Sequence, residues 1–325
     1  MKPWHRGNTR RMGPSRFIIN GKSTKPGEFP WMVRITMNGF PTDLQCGGAL
    51  IGSNVVISAS HCVLQEGSTR YINAPNQYEV IVGDWDISLL EVTERHIKVE
   101  QIIHNAFNWS TGVNDISMLI LKEHVPFAHN LHPVLLPFKD LTRISVVGSN
   151  ERIPLEDVQQ AECVISGWGI TENSSVARQL RQLHYPGLIE PEKCAQMWNK
   201  THVRHLPVTP GMVCAEANST IHKTTCNGDS GGPLVCRAKD GQWRLFGLTS
   251  WGAPGCAPTT IDVFTDVGYH MGWVLDTLRE YPEGGKGFWQ SVINYRSHYD
   301  NTLITSVEEC DSQSDLLYQF GLYCP

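Results

Sequence analysis

The sequence predicts an all-β protein, arranged as barrels or as a sandwich, with one helix near the end of its ordered body. Three observations carry this. Twenty-nine glycines and nineteen prolines among 325 residues interrupt the chain too often for a helical bundle. Runs rich in Val, Ile and Leu are short and mostly bounded by Gly, Pro, Asn or Ser, as strands are. A convincing helical period occurs only at Val267–Leu278, where Val267, Met271, Val274, Leu275 and Leu278 fall three or four apart.

In chain order, strands are expected at Met32–Thr36, Cys46–Ala59, Val80–Val82, Ile116–Leu121, Cys163–Ser166 and Leu234–Arg237. Ala238-Lys239-Asp240-Gly241 reads as a hairpin turn, after which Trp243–Trp251 resumes as a strand. Leu141–Gln160 is more polar and less patterned, and reads as a long connection between two halves. After Tyr281-Pro282-Glu283-Gly284-Gly285 the composition changes, so residues 281–325 form an extension of unassigned role. Residues 18–280 are the main body.

Charged residues make up 18 % and hydrophobic ones 41 %, a balance that excludes wholesale disorder. A net charge of −5 offers no global positive field for nucleic acid. No apolar run approaches the roughly eighteen residues needed to span a bilayer. The ten cysteines contain no C-x-x-C pair, which weakens zinc-ribbon and thioredoxin readings. An even count at scattered spacing suits disulfides formed in an oxidising compartment, although spacing alone leaves on the order of a thousand pairings open. Sequons at Asn108, Asn173, Asn199 and Asn218 agree with a secreted or extracellular protein. The first 17 residues hold Lys2, Arg6, Arg10, Arg11 and Arg16 without an acid or an apolar core, and so are no signal peptide. They read as a basic propeptide or a truncated start, with export information upstream or an unconventional route.

Three local signatures occur in order: Ser58-Ala59-Ser60-His61-Cys62, Asn114-Asp115-Ile116-Ser117-Met118-Leu119, and Gly228-Asp229-Ser230-Gly231-Gly232-Pro233. A serine hydroxyl is a poor nucleophile at neutral pH and needs an adjacent imidazole to take its proton. That imidazole needs a carboxylate to fix its tautomer and to stabilise the imidazolium. Glycines beside the serine let backbone N–H groups approach the reacting oxygen. Singly, each signature has a plainer reading: a half-buried histidine, a turn aspartate, a glycine loop. Together, in the order His, Asp, Ser, they make coincidence a poor explanation. Gly228–Gly232 also satisfies the nucleophile elbow G-x-S-x-G. That fold needs its histidine after the serine, at His270 or His298, and alternating strands and helices that are not seen here.

On these residues, the chain from about Ile18 to Glu280 resembles a chymotrypsin-fold (trypsin-like, S1-type) serine protease. The resemblance implies two six-stranded antiparallel Greek-key barrels with a C-terminal helix. It implies that His61 is general base then acid, that Asp115 orients it, that Ser230 attacks, and that the N–H groups of Gly228 and Ser230 form the oxyanion hole. Ser250-Trp251-Gly252 matches the segment that pairs with the substrate backbone, with Ser250 also bonding Asp115. The family's pairings would be Cys46–Cys62, Cys163–Cys236, Cys194–Cys214 and Cys226–Cys256, which leaves Cys310 and Cys324 for each other. Implied partners are protein or peptide substrates, an activating protease and protein inhibitors. Catalysis in this family needs no metal or other cofactor.

Ile18-Ile19-Asn20-Gly21 resembles the family's new N-terminus, whose ammonium inserts beside Asp229 after cleavage. The scissile bond is then Phe17–Ile18, whereas most relatives place a basic residue before it. By matched spacing, Thr224, with Thr225 beside it, lies at the floor of the primary pocket, where trypsins carry aspartate. Gly252 leaves the mouth open. Asp262 aligns with the pocket wall, where relatives carry glycine; it is either a turn residue or a carboxylate that attracts Lys and Arg, giving mixed basic and bulky apolar preference at P1. Asp84, Asp86, Glu91 and Glu94 occupy a loop where some trypsins bind structural calcium, though solvated acids explain them equally well. The rival reading is a protease-like, non-catalytic binding or adhesion module; a third makes residues 286–325 a docking segment on an active enzyme.

Overall fold

The computed structural model describes residues 21–37, 46–72, 74–138, 153–171, 176–201, 205–216, 224–256 and 261–281. Ile18, Asn173, Asn218, Cys310 and Cys324 lie outside these ranges.

The chain enters through a two-residue strand, β1 (Lys22–Ser23). It then builds β2 (Met32–Met37), β3 (Cys46–Gly52), β4 (Val55–Ser58), β5 (Tyr78–Val82), β6 (Arg95–His104) and β7 (Ser117–Leu121). These six close into an antiparallel barrel in the order β2-β3-β4-β7-β6-β5. The second half contributes β8 (Cys163–Gly167), β9 (Arg181–Tyr185), β10 (Leu188–Ile189), β11 (Met212–Glu216), β12 (Pro233–Arg237), β13 (Trp243–Trp251) and β14 (Ile261–Asp266). Its antiparallel sheet runs β1-β9-β8-β12-β13-β14-β11-β10, so six full strands are edged by two strands of two residues each. The described residues hold two α-helices, α1 (Pro191–Lys200) and α2 (Met271–Glu280). The fold is all-β with a C-terminal helix, as two-barrel architecture requires.

Alternation explains the barrel. In β2, Val33 and Ile35 point inward and pair with Val82 and Val80, while Arg34 points out toward Asp84. Strands β4 and β7 are buried on both faces, so Val55-Val56-Ile57 and Met118-Leu119-Ile120 read as continuous apolar runs. The expected single strand Cys46–Ala59 is a hairpin instead: Ser53-Asn54 reverses the chain, and Ala49 pairs with Ile57. The Lys239-Asp240-Gly241 turn joins β12 to β13, pairing Arg237 with Trp243.

The expected helix begins at Met271 rather than Val267. The Asp266 carboxylate accepts the N–H of Tyr269 at 3.0 Å, and His270 N–H reaches Val267 O at 3.1 Å, so residues 267–270 are a tight turn. From there Met271, Val274 and Leu278 enter the same core cluster as the barrel residues Val33, Ile57, Val99 and Met118. A second core lies between β8, β9, β12, β13 and β14, around Ile165, Leu183, Tyr185, Phe246 and Phe264. Of the Leu141–Gln160 connection, the described part holds a short 3₁₀ turn, Leu155–Asp157.

Candidate active site

His61 stands on a one-turn 3₁₀ helix, Ser60–Cys62, that follows β4. The disulfide Cys46–Cys62 ties this turn to β3, and Ser60 Oγ donates to Ile116 O at 2.6 Å. Asp115 enters from the other side, just before β7. Asn114 adopts a left-handed backbone (φ 60°), which asparagine tolerates better than most residues and which turns Asp115 inward. Because β4 pairs with β7 at Ser58–Ser117, two residues 54 positions apart meet at the same end of one ladder.

The contact is double. Asp115 Oδ1 accepts the backbone N–H of His61 at 2.9 Å, and Oδ2 faces His61 Nδ1 at 2.7 Å. Ser250 Oγ donates to the same Oδ2 at 2.6 Å, and Thr265 Oγ1 donates to the Asp115 carbonyl at 2.8 Å. Asp115 is 2 % exposed, and the His61 side chain is 22 % exposed. An ionised carboxylate can only accept, so Nδ1 carries the proton and Nε2 keeps a lone pair. Among the described residues, Nε2 has no hydrogen-bond partner. Burial alone pushes this imidazole down, but the charge and hydrogen bond of Asp115 outweigh it and hold its pKa above 6.5.

Ser250 reaches Asp115 because of an irregularity in β13. The register with β14 shifts between Thr249 and Trp251, and the residue between them is turned out of the ladder.

Ser230 lies in the turn before β12. Its carbonyl accepts the N–H of Gly47 at 2.8 Å, and Gly231 N–H reaches Thr249 O at 2.8 Å. Gly231 has φ 73°, and a Cβ there would sit 2.1 Å from Ser58 Oγ. The serine turn is therefore seated against the residues just before His61, and only glycine permits that approach. Gly228 has φ 98°, and a Cβ would press on Gly169 Cα at 2.9 Å. Among the described residues, the N–H groups of Gly228 and Ser230 have no acceptor.

Asp229 points away from that turn. Its Oδ1 accepts Gly169 N–H at 2.9 Å and its Oδ2 accepts Cys226 N–H at 3.0 Å, while the residue is 1 % exposed. Burial pushes the carboxyl up to about 7, against the pull of the two N–H donors and with a small push from Asp262.

Asp262 on β14 is 0 % exposed. Its Oδ1 accepts from Thr224 Oγ1 at 2.8 Å, Thr225 Oγ1 at 2.9 Å and Thr225 N–H at 3.1 Å; its Oδ2 accepts from Tyr185 OH at 2.6 Å. Burial raises its pKa, and these donors oppose the rise. A Cβ on Gly252 would lie 3.6 Å from Asp262 Oδ1, so Gly252, Thr224, Thr225 and Asp262 share one small space. Cys226–Cys256 closes this region, and Cys163–Cys236 and Cys194–Cys214 complete the four described disulfides.

The four acids of the Asp84–Glu94 loop turn to protein donors. Asp84 Oδ2 takes Arg34 Nη2 at 2.6 Å and Nε at 3.0 Å. Asp86 holds Ser88 and Gln179, Glu91 accepts Trp85 N–H, and Glu94 holds Glu91 N–H and His96. Asp84 Oδ1 stays buried without a partner. Among the described residues, no three of these acids bring ligand atoms within 4.8 Å of one another, so their carboxylates do not converge on a common ion. Among the described residues, three potential ligand atoms converge only at Cys46, His61 and Cys62, where both sulfurs are in a disulfide.

Tyr185 and Thr265 were not anticipated as site residues. No local pattern marks a tyrosine that reaches an aspartate 77 positions away.

The sequence matches the family model described as Trypsin across residues 18–274. It is 30 % identical over 267 residues to an ovochymase of Halocynthia roretzi, an alignment that takes in 80 % of this chain and 15 % of that protein. This chain thus corresponds to a small part of that relative's length. A six-stranded barrel beside a second antiparallel sheet, His61 locked to Asp115, and a family match over most of the sequence lead to one conclusion: the chain belongs to the trypsin family of serine proteases.

Proposed function

We propose that the chain is a secreted serine endopeptidase, made as a zymogen, that cleaves protein or peptide substrates through an acyl-enzyme. The observation that carries this reading is the double hydrogen bond between His61 and Asp115, with Ser250 on the same carboxylate oxygen. Ser230 Oγ attacks the scissile carbonyl carbon while His61 Nε2 takes the hydroxyl proton. The resulting oxyanion is held by the N–H groups of Gly228 and Ser230. The tetrahedral intermediate collapses, the C–N bond breaks, and His61 gives its proton to the leaving amine. Water then repeats the attack on the ester and releases Ser230. Asp115 stays ionised throughout and compensates the charge on His61.

Activation requires the Ile18 ammonium to reach Asp229, a buried carboxylate that lacks a cation among the described residues. Cleavage after Arg16 would leave Phe17 in front, and the ammonium about 3.5 Å of chain too far out. The activator therefore prefers an aromatic residue and cuts Phe17–Ile18. In the pocket, the Asp262 charge favours Lys and Arg at P1. Its four protein donors weaken that pull, and Thr224 at the floor leaves room for bulky apolar side chains.

The test is to treat the full chain with a chymotrypsin-like and, separately, a trypsin-like activator. Each product is then assayed by N-terminal sequencing, by labelling with a serine-directed phosphonate, and on a P1-varied peptide library. The expected result is labelling and turnover with Ile18 at the N-terminus. Full activity with Phe17 at the N-terminus overturns the activation route, and Ile18-terminated protein that resists the phosphonate overturns the enzyme.

A further inference from the structure

Two sequons lie on segments that pack against Trp251. Asn108 is exposed at the start of a tight loop in which its carbonyl accepts Gly112 N–H at 2.7 Å. Gly112 in turn rests against the tryptophan: a Cβ there would sit 3.4 Å from Trp251 Nε1. The same loop runs directly into Asn114 and Asp115. Within the sequon, Asn108 Oδ1 accepts both the N–H of Ser110 at 3.0 Å and its hydroxyl at 2.7 Å. The amide nitrogen, Nδ2, is left without a partner among the described residues and on the outside. Trp198 of α1 packs its ring 5.3 Å from the Trp251 ring, and His205 stacks parallel to Trp251 at 6.1 Å. The next residue after Trp198 is Asn199, exposed, opening the sequon Asn199-Lys200-Thr201.

We infer that Asn108 and Asn199 carry N-linked carbohydrate, and that these two glycans narrow the approach to Trp251, so that the enzyme admits extended peptides and excludes folded proteins. This rests on the secreted-endopeptidase reading. The chemistry is a glycosyl transfer in the secretory pathway from an oligosaccharide carried on a lipid diphosphate. The asparagine Nδ2 forms a bond to the anomeric carbon of the first sugar, the bond from that carbon to the diphosphate oxygen breaks, the lipid diphosphate leaves, and Nδ2 loses one proton. The product is bulky and hydrophilic. Attached close to the residue that, on this reading, the substrate backbone passes, it obstructs by volume and leaves Asp115, His61 and Ser230 untouched.

The full chain is expressed through the secretory pathway of a eukaryotic cell, activated, and mapped by peptide mass before and after enzymatic deglycosylation of the folded protein. Turnover is compared on a tripeptide anilide and on a compact folded protein. Carbohydrate on both asparagines is expected. Deglycosylation should raise cleavage of the protein substrate about tenfold and change the anilide by less than about twofold. Ser110→Ala and Thr201→Ala, which abolish the sequons while keeping both asparagines, should reproduce the deglycosylated enzyme. Unmodified Asn108 and Asn199 overturn the inference, as does a protein-to-anilide ratio that deglycosylation does not move. No anilide turnover in any form would refute the protease reading itself, and the gating with it, while the mass map still reads the modification.

Discussion

Asp115 does three things with one carboxylate and its carbonyl: it aims the imidazole, fixes its tautomer, and anchors the site to Ser250 and Thr265. Replacing it with asparagine preserves shape but offers a donor where an acceptor is needed, so Asp115→Asn should lower kcat by about 10⁴ in a steady-state assay of activated enzyme. The base must be unprotonated to act. His61 is held above its ordinary pKa, so kcat/KM should climb with pH through a midpoint higher than 6.5 and fall away on the acid side. At Asp262, the neutral isostere separates charge from shape: Asp262→Asn should reduce kcat/KM for Lys and Arg substrates about tenfold relative to Phe substrates. The meeting of His61 with Asp115 was legible in the sequence because each is flanked by residues that the proposed chemistry requires. Tyr185 was not, because its role depends on a strand pairing that no neighbouring residue announces.

At the level of elements, legibility followed burial. Strand β7, largely apolar, stood out, as did the β12–β13 hairpin with its Asp-Gly turn, whereas β3 and β4 ran together as one apolar stretch across Ser53-Asn54. Strand β6 did not, because Ile97 and Val99 alternate with His96, Lys98 and Glu100, and a period of two is easily lost among charges. Helix α1 was missed although it begins on Pro191 and ends on Lys200, both favoured at those positions; its buried residues are only Cys194 and Trp198, too few for a recognisable stripe. In the loop from β5 to β6, Asp84 is held by the Arg34 guanidinium. The Arg34 side chain is 11 % exposed and that of Asp84 1 %, so Arg34→Met would strand a buried carboxylate. It should destabilise the fold by about 3 kcal/mol at neutral pH in denaturant titrations. The deficit should shrink in acid, because burial has already raised the Asp84 pKa and protonation relieves the loss. A chelator should leave the unfolding midpoint of the unaltered protein where it was.

For the molecule as a whole, the proposed activation turns on the charge of Asp229. Asp229 has a folded pKa of about 7 against an ordinary 3.8, so between those values the folded state holds a proton that the unfolded chain has released. Stability from this group is therefore present in acid and lost as pH rises through that window. The uncut chain should melt at a lower temperature at pH 8 than at pH 5, and Asp229→Asn should flatten that slope. In the cut protein, an ammonium beside Asp229 favours the charged form, and calorimetry should find the slope reduced.

The disulfides divide by depth. Cys163, Cys236, Cys194 and Cys214 are sealed in the interior, whereas Cys46, Cys62, Cys226 and Cys256 are half-buried and border the histidine turn and the pocket. A thiol in solution meets the second set first. Mild reduction should therefore silence the proposed turnover while circular dichroism still reports an intact β-protein, so that the site fails before its scaffold wherever glutathione is abundant.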